Sequence, residues 1–263
     1  MVADGVQRSY DHLLAAPARR RARGLGPGRT LALFTLFVVV ETELASRFDL
    51  VSAEAATAVL LAALGFGVAG LLALLVAGGD IWRDGCDGAG HLAASVVVLA
   101  LGLSPFVAGA AAALVFPPVA AVTTDRADPP AIPGLASGLF AVSGEGGDAA
   151  PPYPDLIGRR YPLSTVELFT AARAAATGLG WTVLREAEPA DEETAGRIGL
   201  AARDLPFAPA GSLALRIRPA PGGARIDVSA AVTDLPVDLG LGAFRIRRFF
   251  ATLDDQIRRS AEE

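Results

Sequence analysis

Lysine does not occur in this chain; all 23 basic residues are arginine. Its absence removes a Walker-type phosphate loop and Schiff-base chemistry, both of which need an ε-amine. Histidine is almost as scarce, with only His12 and His91, and neither lies beyond residue 117. A Ser-His-Asp or Cys-His site, or a zinc site ligated by His or Cys, is thereby excluded from the C-terminal half. The single cysteine, Cys86, cannot close an intramolecular disulfide and does not report a redox compartment. Positive charge is also short: the net charge is −5, with no chain-wide basic footprint, so nucleic acid is not an expected partner. No cofactor or metal site is expected. The all-arginine, Ala-, Gly- and Pro-rich composition is the habit of a GC-rich bacterial genome.

Hydrophobicity is what the chain has in excess. Apolar residues make up 52% of it, mean hydropathy is +0.44, and the surplus lies between Leu31 and Phe116. A bilayer core takes roughly 20 apolar residues in a helix. Three windows approach that length: 30–46, 55–77 and 92–116. The second and third contain no charge, whereas the first ends on Glu41 and Glu43, which a tilted helix brings to the interface. Intramembrane carboxylates are functional suspects by default, and an interfacial position weakens the suspicion. Six arginines precede the first window (Arg8, Arg19, Arg20, Arg21, Arg23, Arg29), against Arg47 and Arg83 in the two loops. That bias places the N-terminus in the cytoplasm and, after three crossings, everything beyond Pro117 outside it. Cleavage as a signal peptide is disfavoured, because the apolar run is followed by Glu-Thr-Glu where small residues would be needed.

The expected organisation is a cytoplasmic Arg-rich tail (1–29), a three-helix transmembrane region (30–116), a Pro/Gly-rich connector (117–162) and an extracytoplasmic α+β domain (163–263), in a bacterial cytoplasmic membrane. Gly65-Phe-Gly67-Val-Ala-Gly70 spells a dinucleotide-binding fingerprint but lacks the preceding strand; close helix packing through small residues is the simpler reading.

In the last hundred residues the periodicities are regular. Ser164-x-x-Glu167 is a capping box that opens a helix with Leu168, Phe169, Ala172 and Ala176 on one side. Four alternating runs follow, at 181–185, 197–203, 213–218 and 226–233, the last two joined by the turn Pro221-Gly222-Gly223. A final helix carries Ile246, Phe249, Phe250, Leu253 and Ile257 in one stripe, with Arg245, Arg247, Arg248, Arg258 and Arg259 on other faces. Helix, four-stranded antiparallel sheet, helix makes a two-layer α+β sandwich. Its outward sheet face, with Arg216, Arg218 and Asp227, reads most simply as solvated, with a binding platform as the alternative.

Several local patterns coincide: Val122-Thr-Thr-Asp-Arg-Ala-Asp-Pro-Pro130, Tyr161-Pro162, Arg225-Ile-Asp-Val228, Asp238-Leu-Gly240 and Arg245-Ile-Arg247. Together, over residues 120–253, they resemble the domain of unknown function 1499 family, whose bacterial members often follow a few transmembrane helices. The resemblance implies a domain boundary near Ala120 and no particular activity. After the last strand the family carries arginines and a glycine where this chain has Ala231-Val-Thr-Asp-Leu-Pro236; a ligand held there in relatives would lose its contacts here.

The chemistry left open uses carboxylate, Tyr and Arg. Asp125 and Asp128 have the spacing of hard-metal ligands or an acid–base pair, with Asp155 or Asp238 completing a site. The simpler roles are turn termination before Pro129-Pro130 and, for Asp238, capping of the final helix. Tyr153 and Tyr161, each before a proline, read as packing anchors. Asp125, Asp128, Tyr161, Arg216, Arg218 and Asp238 are thus the candidate ligand-binding residues. The expected function is a membrane-anchored, non-catalytic binding or envelope-assembly module, with the lipid bilayer and an envelope protein or small ligand as partners. The alternative is a carboxylate-dependent hydrolase or lyase acting on an envelope substrate.

Overall fold

The structure is a computed structural model that describes residues 22–48, 50–132, 152–203, 207–233, 235 and 237–262. The Arg cluster at 19–21 therefore lies outside the described residues, as does Gly144-Glu-Gly-Gly147. The chain forms two compact units, divided between Phe106 and Val107.

The first unit holds helices α1 (Leu25–Arg47) and α2 (Ala53–Asp84) and the first part of α3 (Ala89–Val115). α2 and α3, at 32 and 27 residues, are long and apolar enough to cross a membrane. The third span expected over 30–46 is not among the helices that meet that criterion; α1 carries Arg29, Glu41, Glu43 and Arg47, the last two joined at 2.9 Å. α1 buries Gly28, Ala32, Thr35, Val39 and Thr42, a 4-3-4-3 spacing that keeps one seam turned inward. Glycines set the contact distance. A Cβ on Gly28 would stand 2.6 Å from Leu74 Cδ2, and one on Gly67 2.6 Å from Leu103 Cδ2. Gly67 and Gly70 are thus packing residues, as their position mid-helix implies.

The second unit is an antiparallel sheet with two helices on one face. Its elements are β1 (Ala121–Thr123), β2 (Arg159–Tyr161), α4 (Thr165–Gly178), β3 (Thr182–Ala187), β4 (Gly196–Ala202), β5 (Gly211–Ala220), β6 (Gly223–Val232) and α5 (Leu241–Glu262). The order across the sheet is β1-β6-β5-β4-β3, with β2 also pairing β6. Among the described residues the sheet has six strands, against the four expected. The two additional ones are three-residue strands inside the Pro/Gly-rich stretch 117–162, too short to show any alternation, and both pair with the free edge of β6.

The capping box is present as read: the Ser164 hydroxyl accepts from the Glu167 N–H, and Glu167 accepts from the Ser164 N–H at 2.9 Å. Pro221 and Gly222 join β5 to β6, with Gly222 at φ +80°, a conformation that suits glycine at the third position of a type II turn. The core lies between sheet and helices, where Leu213, Leu215, Ile217, Ile226 and Val228 meet Leu168, Phe169, Ile246, Phe249 and Leu253. Each such side chain contributes about 1.5–3 kcal/mol by leaving water. Arg245, expected on a face of α5 other than the apolar stripe, is only 1% exposed and donates to the Pro209 carbonyl at 2.9 Å.

Candidate functional site

Strand alternation sends Ser212, Ala214, Arg216 and Arg218 of β5, and Arg225, Asp227, Ser229 and Ala231 of β6, to the face away from the helices. The hairpin register sets Arg216 opposite Asp227 and Arg218 opposite Arg225. This face is not solvated as expected: Arg216 is 8% exposed and Asp227 0%. Residues 125–132, which leave β1, lie over it as a strap. Ile132 covers Ala121, Ala214 and Ala231, and the two Asp side chains of the strap meet the arginines.

The strap is shaped by its own side chains. Asp125 Oδ1 accepts from the N–H groups of Ala127 and Asp128, both at 3.2 Å, the local turn that Asp favours. The Thr123 hydroxyl accepts from the Asp125 N–H and from Ser229. Thr124 Oγ1 accepts from the Val228 N–H at 2.8 Å. Asp125 Oδ2 is left free to accept from Arg216 at 3.1 Å and Arg218 at 2.9 Å. Asp128 Oδ2 accepts from Arg216 at 2.8 Å. Beneath them Asp227 accepts from Arg218 at 2.8 Å and from Arg225 Nε at 2.9 Å. Burial pushes the Asp125 carboxyl up, but the Asp128 N–H and the guanidinium groups of Arg218, Arg225 and Arg216 outweigh it and hold its pKa below the ordinary value. Arg218 is held above its own value by Asp227 and Asp125, against the effect of burial. The packing is tight enough that a Cβ on Gly158 would fall 2.1 Å from Asp227 Oδ1.

The six candidates from the sequence separate. Asp125, Asp128, Arg216 and Arg218 come together in this cluster. Tyr161 packs beside the core, and its hydroxyl donates to Asp254 of α5 at 2.6 Å. Asp238 caps α5, accepting from the Gly242 N–H at 2.8 and 2.9 Å. Burial pushes the Asp238 carboxyl up to about 6, against the lowering effect of the Gly242 N–H and Arg245. Asp155 is held by Arg247 at 2.7 and 2.9 Å. Among the described residues no group of three His, Cys, Asp or Glu is arranged to hold a metal ion.

Arg225 and Asp227 are members of the cluster that sequence reasoning did not select. The hairpin turn carried the signal, since counting outward from Pro221-Gly222 pairs Arg216 with Asp227 and Arg218 with Arg225. Beside the cluster, between the strap and β3–β5, is a cavity of about 550 Å³ whose lining includes Arg185, Arg197 and Arg216 together with Pro129, Pro130 and Ile132. A β-bulge after Val183 leaves Leu184 unpaired and puts Arg185 opposite Gly199 on this face. No family model, curated protein or solved structure matches the chain.

Proposed function

We propose that the chain is an integral protein of the bacterial cytoplasmic membrane that presents its α+β unit outside the cytoplasm as a non-catalytic binding module for an envelope protein or small ligand. The observation that carries this reading is the strapped outer face of the sheet. Asp125, Asp128 and Asp227 are each engaged by guanidinium groups at 2.8–3.1 Å, so none is poised as a free general base or acid. A rigid charged face beside a cavity suits recognition, whereas the hydrolase or lyase alternative needs a carboxylate released from arginine. The resemblance to the domain of unknown function 1499 family is part of this reading.

α1 is the third span in this proposal. Its outer surface presents Leu33, Phe34, Phe37 and Val40, each more than a third exposed, which suits contact with lipid. Its inner seam is closed by glycines against α2. A phosphatase reporter fused after Glu263, active only outside the cytoplasm, is expected to be active; a stable but inactive fusion overturns the topology. A photo-cross-linker placed at the exposed Arg126 on the strap is expected to capture a specific partner or ligand in intact cells. Recovery of nothing beyond what a cross-linker at the α5 surface recovers would refute the binding reading.

A further inference from the structure

The ligand class follows from the charge of the outer face, given that the α+β unit is a binding module. Arg160, Arg185, Arg197, Arg216, Arg218 and Arg225 all stand there by strand register, against Asp125, Asp128 and Asp227. Three positive charges are left over. The side chains of Arg160, Arg185 and Arg197 have no hydrogen-bond or ion-pair partner among the described residues, and two of these three line the cavity. Arg197 sits directly opposite Arg216 across the β4–β5 pair. Like charges in that position are destabilising, and the strap carboxylates Asp125 and Asp128 answer Arg216 but not Arg197. Arg216, with its side chain only 10% exposed, also keeps a buried Nε–H with no acceptor. That atom is itself closed to solvent, so the free guanidinium donors at the cavity are those of Arg185 and Arg197.

Glu186, the other acid at the cavity, is drawn toward Arg173 of α4 at 3.2 Å, and Asp128 already serves Arg216 and Arg218. Among the described residues no further acid at the cavity supplies the balancing negative charge, which leaves the cavity suited to an anionic ligand. The guanidinium groups of Arg185 and Arg197, on the adjacent strands β3 and β4, line the cavity together, and several charged donors at one place suit the oxygens of a phosphate. The volume of about 550 Å³ falls within the span of small-molecule sites and exceeds the needs of a lone phosphate. Pro129, Pro130 and Ile132 offer an apolar wall for the remainder. We propose that this cavity binds the phosphate group of a small phosphomonoester, with Arg185 and Arg197 as its donors.

The phosphate could arrive on a soluble metabolite or on a lipid headgroup, and the test separates the two. The full chain in phosphate-free maltoside detergent is titrated calorimetrically with glycerol 3-phosphate and, in a second arm, with short-chain phosphatidate. Glycerol and glycerate serve as controls. Saturable binding with a Kd below about 1 mM is expected in at least one arm. Tighter binding of glycerol 3-phosphate identifies a soluble phosphoester, and tighter binding of phosphatidate identifies a headgroup. Arg185→Gln and Arg197→Gln, both at exposed positions, should each weaken binding about tenfold, the loss of a charge-assisted hydrogen bond, with the calorimetric melting transition unchanged. No saturation in either arm, unchanged affinity in the double variant, or glycerate binding as tightly as glycerol 3-phosphate overturns the phosphate site. If any of these occurs while the strap cross-linker still captures a partner in cells, the ligand class falls and the binding module stands.

Discussion

Asp227→Ala removes the deepest charge of the strapped face and should be among the most destabilising single substitutions outside the apolar core. The carboxylate is fully buried and lies 2.8 Å from Arg218 and 2.8 Å from Arg225. At an effective dielectric of about 20, each contact at that distance is worth about 6 kcal/mol before solvation is counted. Against this stands the cost of burying the carboxylate and the two guanidinium groups, several kcal/mol per ion. Truncation leaves the cations in place without their main partner, and Asp125, 2.9 Å from Arg218 and 3.9 Å from Arg225, compensates only in part. A net loss of about 3–5 kcal/mol is expected, the usual size for breaking a buried pair. For a unit of this length each kcal/mol lowers Tm by about 2–4 °C, so the transition should fall by about 6–20 °C. Trp181, buried in the core, reports the unfolding once Trp82 of α2 is replaced by Phe. The double variant Asp227→Ala/Arg225→Ala should be less destabilised than the sum of its parts, by about 1–3 kcal/mol. A loss under about 1 kcal/mol for Asp227→Ala would mean that the pairs behave as surface contacts, and the reading of a rigid buried lattice would be wrong.

Asp238 gives a prediction with a defined sign. Its folded pKa, about 6, lies above the unfolded value of about 3.9, so its contribution is fully present below about pH 4 and is lost as pH rises through 6. Asn at this position keeps the cap without the buried charge, and the stability of Asp238→Asn relative to the parent should rise by about 2 kcal/mol between pH 4 and 7 in paired denaturation curves; a flat difference refutes the shift. Ser164→Ala removes one half of the capping box and should cost about 1 kcal/mol in the same assay. Gly102→Val places atoms where a Cβ alone is already 3.1 Å from the Leu36 backbone nitrogen. It should lower detergent-solubilised stability by several kcal/mol, and survival unchanged would argue against the close approach of α1 and α3.

The sequence revealed elements whose periodicity is long enough to be seen. α2 and α3 show as long apolar runs, and α4, β5, β6 and α5 each run ten residues or more with apolar residues that fall where the core requires them. The two short strands escaped, because three residues carry no period and their pairing is decided by the vacant edge of β6. The two-layer arrangement was legible. The state of its outer face was not: alternation marks Arg216 and Asp227 as outward, and only the strap, about ninety residues upstream, buries them. The spacing of Asp125 and Asp128 leaves turn termination, ligand binding and metal or acid–base chemistry all open, and their actual engagement with arginine depends on the same long-range closure. Arg185 reached the cavity face through a bulge that no pattern in β3 announces.

That closure has a consequence for how the protein is made. β1 and the strap leave the ribosome ahead of the rest of the sheet, yet Thr124 waits for Val228, 104 positions later, to donate to its hydroxyl. At about 5–20 residues per second the interval is about 5–20 s. Pairings of such sequence separation are slow to form, because the entropy of closing the chain is lost before any contact is gained. Throughout that interval Asp125 and Asp128 stand without their arginines. Nascent chains stalled before β6 therefore have no edge for β1 to dock on, and the outer face is assembled in one late step, after the apolar helices have all been synthesised.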